Sequence, residues 1–259
     1  MSRPTAAVTP TTVRAVRSPG VHPLVPRPPS GRAYEGTAVV RFGDADRTGR
    51  LRLDAVARLL QDLGNDDFRD AGVDPLSPWV ARRSIVEAPR WPRLGERLRL
   101  VTWCGGLGSR WAERRTSVEG DDGGRVEVAT LWIHVDDRGR PAHVPAWFRD
   151  GWGPAARGRE VSPRLSLPPP PDGAVSRPWP LRSTDLDVLG HVNNTATWLA
   201  VEDECARRGL RPTAAVLEYA AAIEPDDEVL LEADQGECLR MWLTVGHQVR
   251  AAAEVVAGA

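Results

Sequence analysis

The sequence predicts an α+β fold of two similar halves, each a long helix wrapped by a curved antiparallel sheet. Three observations predict it. Each half reads as one strand, one amphipathic helix and about four more strands. A short acid-rich turn stands between the first strand and the helix in both halves. A proline-rich stretch, VSPRLSLPPPPDG at residues 161–173, divides the halves. Proline cannot donate to a sheet ladder and favours an extended chain, so this stretch reads as a stiff spacer. The expected organisation is a disordered tail at 1–33, a first domain at 34–160, the spacer at 161–173 and a second domain at 174–259.

In the first half, residues 34–42 (YEGTAVVRF) have strand character. After the turn, Leu53, Val56, Leu59, Leu60 and Leu63 fall at helical spacing and give one apolar face over residues 53–69. Four β-leaning runs follow, RRSIVEAP, ERLRLVTWC, WAERRTSVE and RVEVATLWIHV, the last two joined by a hairpin-like DDGG at 121–124. In the second half, residues 177–184 look extended. A helix is expected from Asn194 to Arg208, ended by Gly209 as C-cap. AAVLEYAAAI, DEVLLEAD, CLRMWLTVG and QVRAAAEVV then supply strands. One helix against a curved sheet buries the apolar face of each.

The two turns match most closely. Asp44-Ala-Asp46-Arg-Thr-Gly49-Arg50 aligns without a gap on Asp185-Leu-Asp187-Val-Leu-Gly190-His191, an offset of 141 residues (46 to 187). Arg50 stands where the second half has His191.

Composition excludes several classes of function. The formal net charge is -1, so bulk electrostatics point to neither a nucleic-acid nor an anionic-membrane partner. No apolar run reaches the roughly 18–20 residues of a membrane span. The N-terminal residues lack the apolar core of a secretory signal. All 34 basic residues are arginine, as codon bias in a GC-rich bacterial genome would produce. Cys104, Cys205 and Cys238 have no metal-ligand spacing; reduced, buried thiols in a cytoplasmic protein are the expectation.

The tract D-x-x-G-H-V-N-N before a helix, here Asp187 to Asn194, resembles the active-site turn of hotdog-fold thioesterases. With the two-half arrangement, the chain resembles the acyl-ACP thioesterase family. In the first half, Arg90-Trp-Pro-Arg-Leu-Gly95-Glu96, Thr102-Trp103 and Arg114-Arg115 are similar to strand segments of that family. The resemblance covers residues from about 35 to 255. It implies a double hotdog fold, hydrolysis of fatty acyl thioesters, acyl carrier protein or acyl-CoA as the substrate partner, and no metal or cofactor; a homodimer is one expected assembly. The sequence departs from the family pattern at four places, one of them Thr197, where the family usually has an aromatic after H-V-N-N. Leu189 stands where the family has asparagine, and Ala222 and Ile223 stand where it has a Glu-Cys pair after the strand motif Leu217-Glu218-Tyr219. A cysteine–histidine mechanism therefore has no support.

Thioester hydrolysis needs an activated water or nucleophile, a polarised carbonyl and a dry acyl slot. A turn that runs into a helix N-terminus offers free N–H groups and a favourable dipole for the oxyanion. Asp187 is the candidate general base or nucleophile. His191 is the candidate to orient water, donate to the carbonyl or protonate the leaving thiolate. Asn193 or Asn194 is expected to cap the helix. Gly190 is expected to let the backbone approach substrate closely. Asp46 is a candidate second carboxylate at the substrate; Arg50 beside it would pair with it or hold it ionised, and its other reading is an inactive turn. Glu202, eleven residues after His191, sits where hotdog thioesterases often carry an acid; with Glu204, its other reading is a solvated helix face. Among ten tryptophans, Trp103 and Trp111 are candidates to line an acyl tunnel, beside Trp91 and Trp132. Arg110, Arg114 and Arg115 are candidates to dock an acidic carrier.

Two other classes compete. Leu189, Ala222 and Ile223 favour a non-catalytic acyl-binding hotdog protein. A hotdog hydratase also uses an Asp and a His, and an enoyl product would single it out.

Overall fold

The computed structural model describes residues 24–74, 78–188, 190–234 and 238–258. The elements run β1 (Ala33–Val39), α1 (Leu53–Asp70), β2 (Trp79–Arg90), β3 (Arg97–Leu107), β4 (Trp111–Gly120), β5 (Arg125–His134), α2 (Ala146–Gly151), α3 (Gly153–Ala156), β6 (Val175–Pro178), α4 (Asn194–Arg208), β7 (Pro212–Tyr219), β8 (Val229–Ala233), β9 (Leu239–Val245) and β10 (Gln248–Ala257). The expected helix at 194–208 and its Gly209 cap, at φ 67°, are both present. The short helices α2 and α3 carry no periodic signal, being six and four residues long, and were not expected.

All strands join one ten-stranded sheet in the order β1-β3-β4-β5-β2-β7-β10-β9-β8-β6. Strands β1 to β5 occupy one side and β6 to β10 the other. Read from its outer edge, each side places its first, third, fourth, fifth and second strand in turn. The sides meet where β2 pairs antiparallel with β7, Arg83 opposite Glu218 and Ile85 opposite Val216. The two halves therefore share one continuous sheet.

Strand alternation decides what each face receives. On one face, α1 and α4 pack against each other and against the sheet. Val56 and Leu63 of α1 and Trp198 and Val201 of α4 join Leu98, Val128, Leu217 and Met241 of the strands in one core. Each such large apolar side chain contributes about 1.5–3 kcal/mol on burial.

The opposite face holds the proline-rich stretch, which is a strap. Glu218, 2% exposed, accepts from the backbone N–H of Ser166 (2.8 Å) and Leu167 (3.0 Å). Arg83 donates to the carbonyls of Arg164 and Ser162. Trp111 and Trp242 donate their indole N–H groups to the carbonyls of Val161 and Pro168. An extended, proline-rich chain has no ladder of its own, so its backbone groups are open to such side chains. Leu167 covers Ile85, Ala129 and Val216 on this face. Leu24 covers the same cluster, and Arg32 binds Asp67 of α1, so residues 24–32 are ordered although expected in the tail. Residues 1–23 of that tail lie outside the described residues. Replacing Glu218 with Ala leaves the Ser166 and Leu167 donors without their acceptor. The expected loss is about 1–3 kcal/mol, read as a lower urea midpoint. An unchanged midpoint would show that the strap adds nothing to stability.

Candidate active site

The two acid turns are built by the same bonds. In the first, Asp44 accepts from the Arg41 N–H (2.9 Å), Asp46 N–H donates to the Arg50 carbonyl (2.8 Å) and Arg50 N–H donates to Asp46 Oδ1 (3.0 Å). In the second, Asp185 accepts from the Arg182 N–H (2.8 Å), Asp187 N–H donates to the His191 carbonyl (2.8 Å) and His191 N–H donates to Asp187 Oδ1 (3.1 Å). Gly49 and Gly190 take the same left-handed backbone, φ 80° and 78°. A Cβ at Gly190 would meet no atom of the chain within 4 Å, so within the chain the glycine answers to its φ. The hairpin at Asp136–Arg140 repeats this turn, with Arg138 and Arg140 N–H groups donating to Asp136 Oδ1. These bonds are therefore a general way to close a tight loop, and only the surroundings tell the copies apart.

The surroundings differ sharply. Beside the second turn lies a cavity of about 220 Å³. Asp187, Val188 and Asn194 form its wall on one side, and Gln61 and Asn65 of α1 form it on another. Its remaining wall comes from the first half and is strongly aromatic: Phe68, Trp79, Trp103, Trp132, Phe148 and Trp152. Phe148 stacks on Trp152 with centroids 5.3 Å apart, and Phe68 meets Trp152 edge-on at 5.4 Å. A smaller cavity of about 40 Å³ continues between α1 and the sheet and shares Gln61 and Asn194 with the first.

Asp67 of α1, 1% exposed, fixes the aromatic end. Its carboxylate takes Arg114 Nη1 (2.7 Å), Trp152 Nε1 (2.7 Å) and Arg32 Nε (2.8 Å). One acid thus ties α1 to β4, the junction between α2 and α3, and the segment before β1.

No residue of the first turn, 44–50, lines either of these cavities. Glu202 of α4 fills the space beside that turn. It accepts from the Leu53 N–H (3.0 Å), at the start of α1, and pairs with the Arg50 guanidinium. Arg50 also binds Asp46 (3.0 Å) and lies over the Trp91 ring. Burial pushes the Glu202 carboxyl up, against Arg50 and the Leu53 N–H, which favour its charge. Burial works against the Asp46 carboxylate too, but hydrogen bonds from Thr48 and the Arg50 backbone hold it below its usual range.

Of the expected site residues, Asp187, Asn194 and Trp103 meet at the cavity. Asn193 is the N-cap of α4, its Oδ1 accepting from the Thr195 N–H (2.9 Å). His191 is exposed, on the solvent side of the turn. Glu202 and Asp46 lie together at the other turn. Glu202 and Glu204 are both buried, not solvated, and Glu204 pairs with Arg177 and Arg208. Trp111 is a correction: Ala112 and Arg114 turn toward the cavity, so strand alternation turns Trp111 to the opposite face, under the strap. Arg114 serves Asp67, and Arg115 is 1% exposed with its Nη2 donating to the Val25 carbonyl, so neither offers surface to a carrier; Arg110 is exposed.

Thiol chemistry finds no support at the two buried cysteines; Cys238 is exposed, not buried as expected. Cys104 lines the cavity, but burial pushes its thiol up to about 11, and Cys205 to about 12. Ala222 is exposed and Ile223 buried in the core beyond β7. Leu189 lies outside the described residues.

Sequence reading missed Gln61 and Asp67. A signal for Gln61 existed. Carried into the helices, the offset of 141 residues that aligns the turns pairs Gln61 with Glu202 and Leu53 with Asn194.

Comparison with known proteins agrees with this architecture. Residues 31–150 match the family model of the acyl-ACP thioesterase N-terminal domain. An uncharacterized protein of Mycobacterium tuberculosis, found in two strains, is 33% identical over 235 residues, covering 89% of this chain and 94% of its own length. The 12:0-ACP thioesterase of Umbellularia californica superposes with a TM-score of 0.73 at 20% identity, over 91% of this chain and 98% of that one. An acyl-ACP thioesterase of Bacteroides thetaiotaomicron gives 0.72 at 18%, over 87% and 98%. At these identities the two structures speak to the fold. Residues 31–150 thus belong to the acyl-ACP thioesterase N-terminal domain family, and the whole chain takes the double hotdog fold.

Proposed function

We propose that the chain hydrolyses fatty acyl thioesters, acyl-ACP above all, at the turn of its second half. One observation carries this reading. Asp187 and Asn194 open onto a cavity with aromatic walls, whereas the bond-for-bond copy of the turn in the first half is filled by Glu202.

The acyl chain lies among the aromatic side chains and its thioester carbonyl faces the start of α4. There the helix N–H groups and dipole favour the oxyanion. Asp187 takes a proton from a water that attacks the carbonyl carbon. The tetrahedral intermediate collapses, the C–S bond breaks and the carrier thiolate leaves toward solvent. His191, on the exposed side of the turn, protonates it. Direct attack by Asp187, through a mixed anhydride, is the alternative course. Label left in Asp187 after a single turnover in ¹⁸O-water would establish the anhydride course, through water attack on the Asp187 carbonyl of the anhydride.

The matching strand order and turns also support two repeats of one ancestral unit, at about 34–160 and 174–259, held together by the 161–173 strap. Cytoplasmic location and an acyl carrier as partner belong to the same reading.

Release of free thiol from a panel of acyl-ACPs and acyl-CoAs tests it. Turnover of saturated acyl-ACP is the expected result. A folded protein that binds acyl-ACP and releases no thiol would replace this reading with the acyl-binding one, and an enoyl product would replace it with the hydratase.

A further inference from the structure

The filled turn of the first half shows what the open turn of the second is shaped to hold. At the first, the Glu202 carboxylate accepts from the Leu53 N–H, the first amide of α1. A carboxylate oxygen there stands where the oxygen of a thioester carbonyl, or of the oxyanion it becomes, would stand. The same offset of 141 residues places Asn194, the first residue of α4, in the position of Leu53, and Gln61 of α1 in the position of Glu202. Both Gln61 and Asn194 line both cavities. The Asn193 side chain caps the Thr195 N–H, not that of Asn194. Gln61 is half-buried where Glu202 is buried. One helix thus brings an acid across to close one turn, and the other brings a neutral amide across to a turn left open.

The difference between acid and amide is chemical. A carboxylate has only acceptors and binds the helix N-terminus itself. A glutamine also carries an NH₂ donor and no charge. It leaves the first helical N–H to the substrate and offers a second donor to the same oxygen.

We propose that Gln61, supplied by the first half, is a catalytic residue of the second-half site: its side-chain NH₂ donates to the thioester carbonyl oxygen, beside the Asn194 N–H. The inference rests on the reading of the Asp187 turn as the active site. It also gives the first half a part in the chemistry, beyond walling the acyl cavity.

Steady-state hydrolysis of one acyl-ACP by wild type, Gln61→Met, Gln61→Glu and Asp187→Asn tests it. Gln61→Met keeps the length and removes the donor. It is expected to lower kcat by about 10²-fold, the scale of one lost oxyanion donor, with KM changed far less. Gln61→Glu is expected to close the second turn as Glu202 closes the first. Activity is lost at neutral pH, thermal stability is kept or raised, and the ratio of variant to wild-type rate climbs as pH falls and the new carboxyl takes up a proton. Rates within threefold of wild type for both Gln61 variants, with Asp187→Asn inactive, would overturn the role of Gln61 and leave the site standing. Full activity of Asp187→Asn would remove the site and the role of Gln61 together.

Discussion

Asp187→Asn is expected to lower kcat by about 10²–10⁴-fold, the range of a positioned general base. The substitution isolates charge from structure. The turn needs Asp187 as an acceptor for the His191 N–H (3.1 Å), and an asparagine Oδ1 supplies that bond equally well. Thermal stability should therefore change little while turnover collapses. Asp46→Asn is the matched control, because it alters the equivalent position of the other turn and lines neither cavity. Its effect on turnover should stay within about threefold, because general-base catalysis is not lost there. His191→Ala tests leaving-group protonation. Its deficit should shrink as the leaving thiol becomes more acidic, so an aryl thioester loses less rate than the carrier thioester. Equal losses at Asp46 and Asp187 would mean that both turns act, and would contradict the closure of the first by Glu202.

Glu202→Ala should act on stability, not on the chemical step. Removing the acid leaves the Arg50 guanidinium, which is 9% exposed, with Asp46 as its remaining acid, and frees the Leu53 N–H. Breaking one side of a buried pair costs about 3–5 kcal/mol, which would appear as a large drop in the urea midpoint. The pair itself need not add net stability. Burial raises the Glu202 carboxyl above 4.5 despite its partners. A carboxyl raised on folding contributes fully below its unfolded value and loses that contribution as pH rises through the raised one. Replacing both Arg50 and Glu202 with Leu should thus recover much of the loss from Glu202→Ala. Strict additivity in that double variant would show that the two side chains do not depend on each other. A change in kcat larger than the change in stability explains would return Glu202 to the chemistry.

The helices were legible because their signals are local. Five leucines and valines at helical spacing mark α1, and Asn193 and Gly209 bracket α4 with side-chain cap and left-handed end. The turns were legible because a backbone loop closed by Asp and Gly needs those residues at fixed spacing. The tryptophans were not equally legible. Trp103 and Trp111 both sit on strands, but the pleat sends one to the cavity and the other beneath the strap. A bulge between Cys104 and Gly106 shifts the register of that very pair of strands, and alternation counted along the sequence does not see it. The strap itself was readable as stiff and extended, but not as bound, because its partners Arg83, Glu218 and Trp242 come from three distant strands.

The sequence by itself determined the two-half architecture, the two turns and the absence of a cysteine nucleophile at the family position. Each is set by residue type at short spacing. Only the tertiary structure decided which turn is open. That depends on which helix crosses to it and whether that helix carries an acid or an amide at its ninth residue. Glu202 lies 152 residues from Arg50, and nothing local joins them. The two halves meet where β2 pairs with β7, and across that meeting a buried ion pair closes one turn while a neutral side chain lines the cavity beside the other.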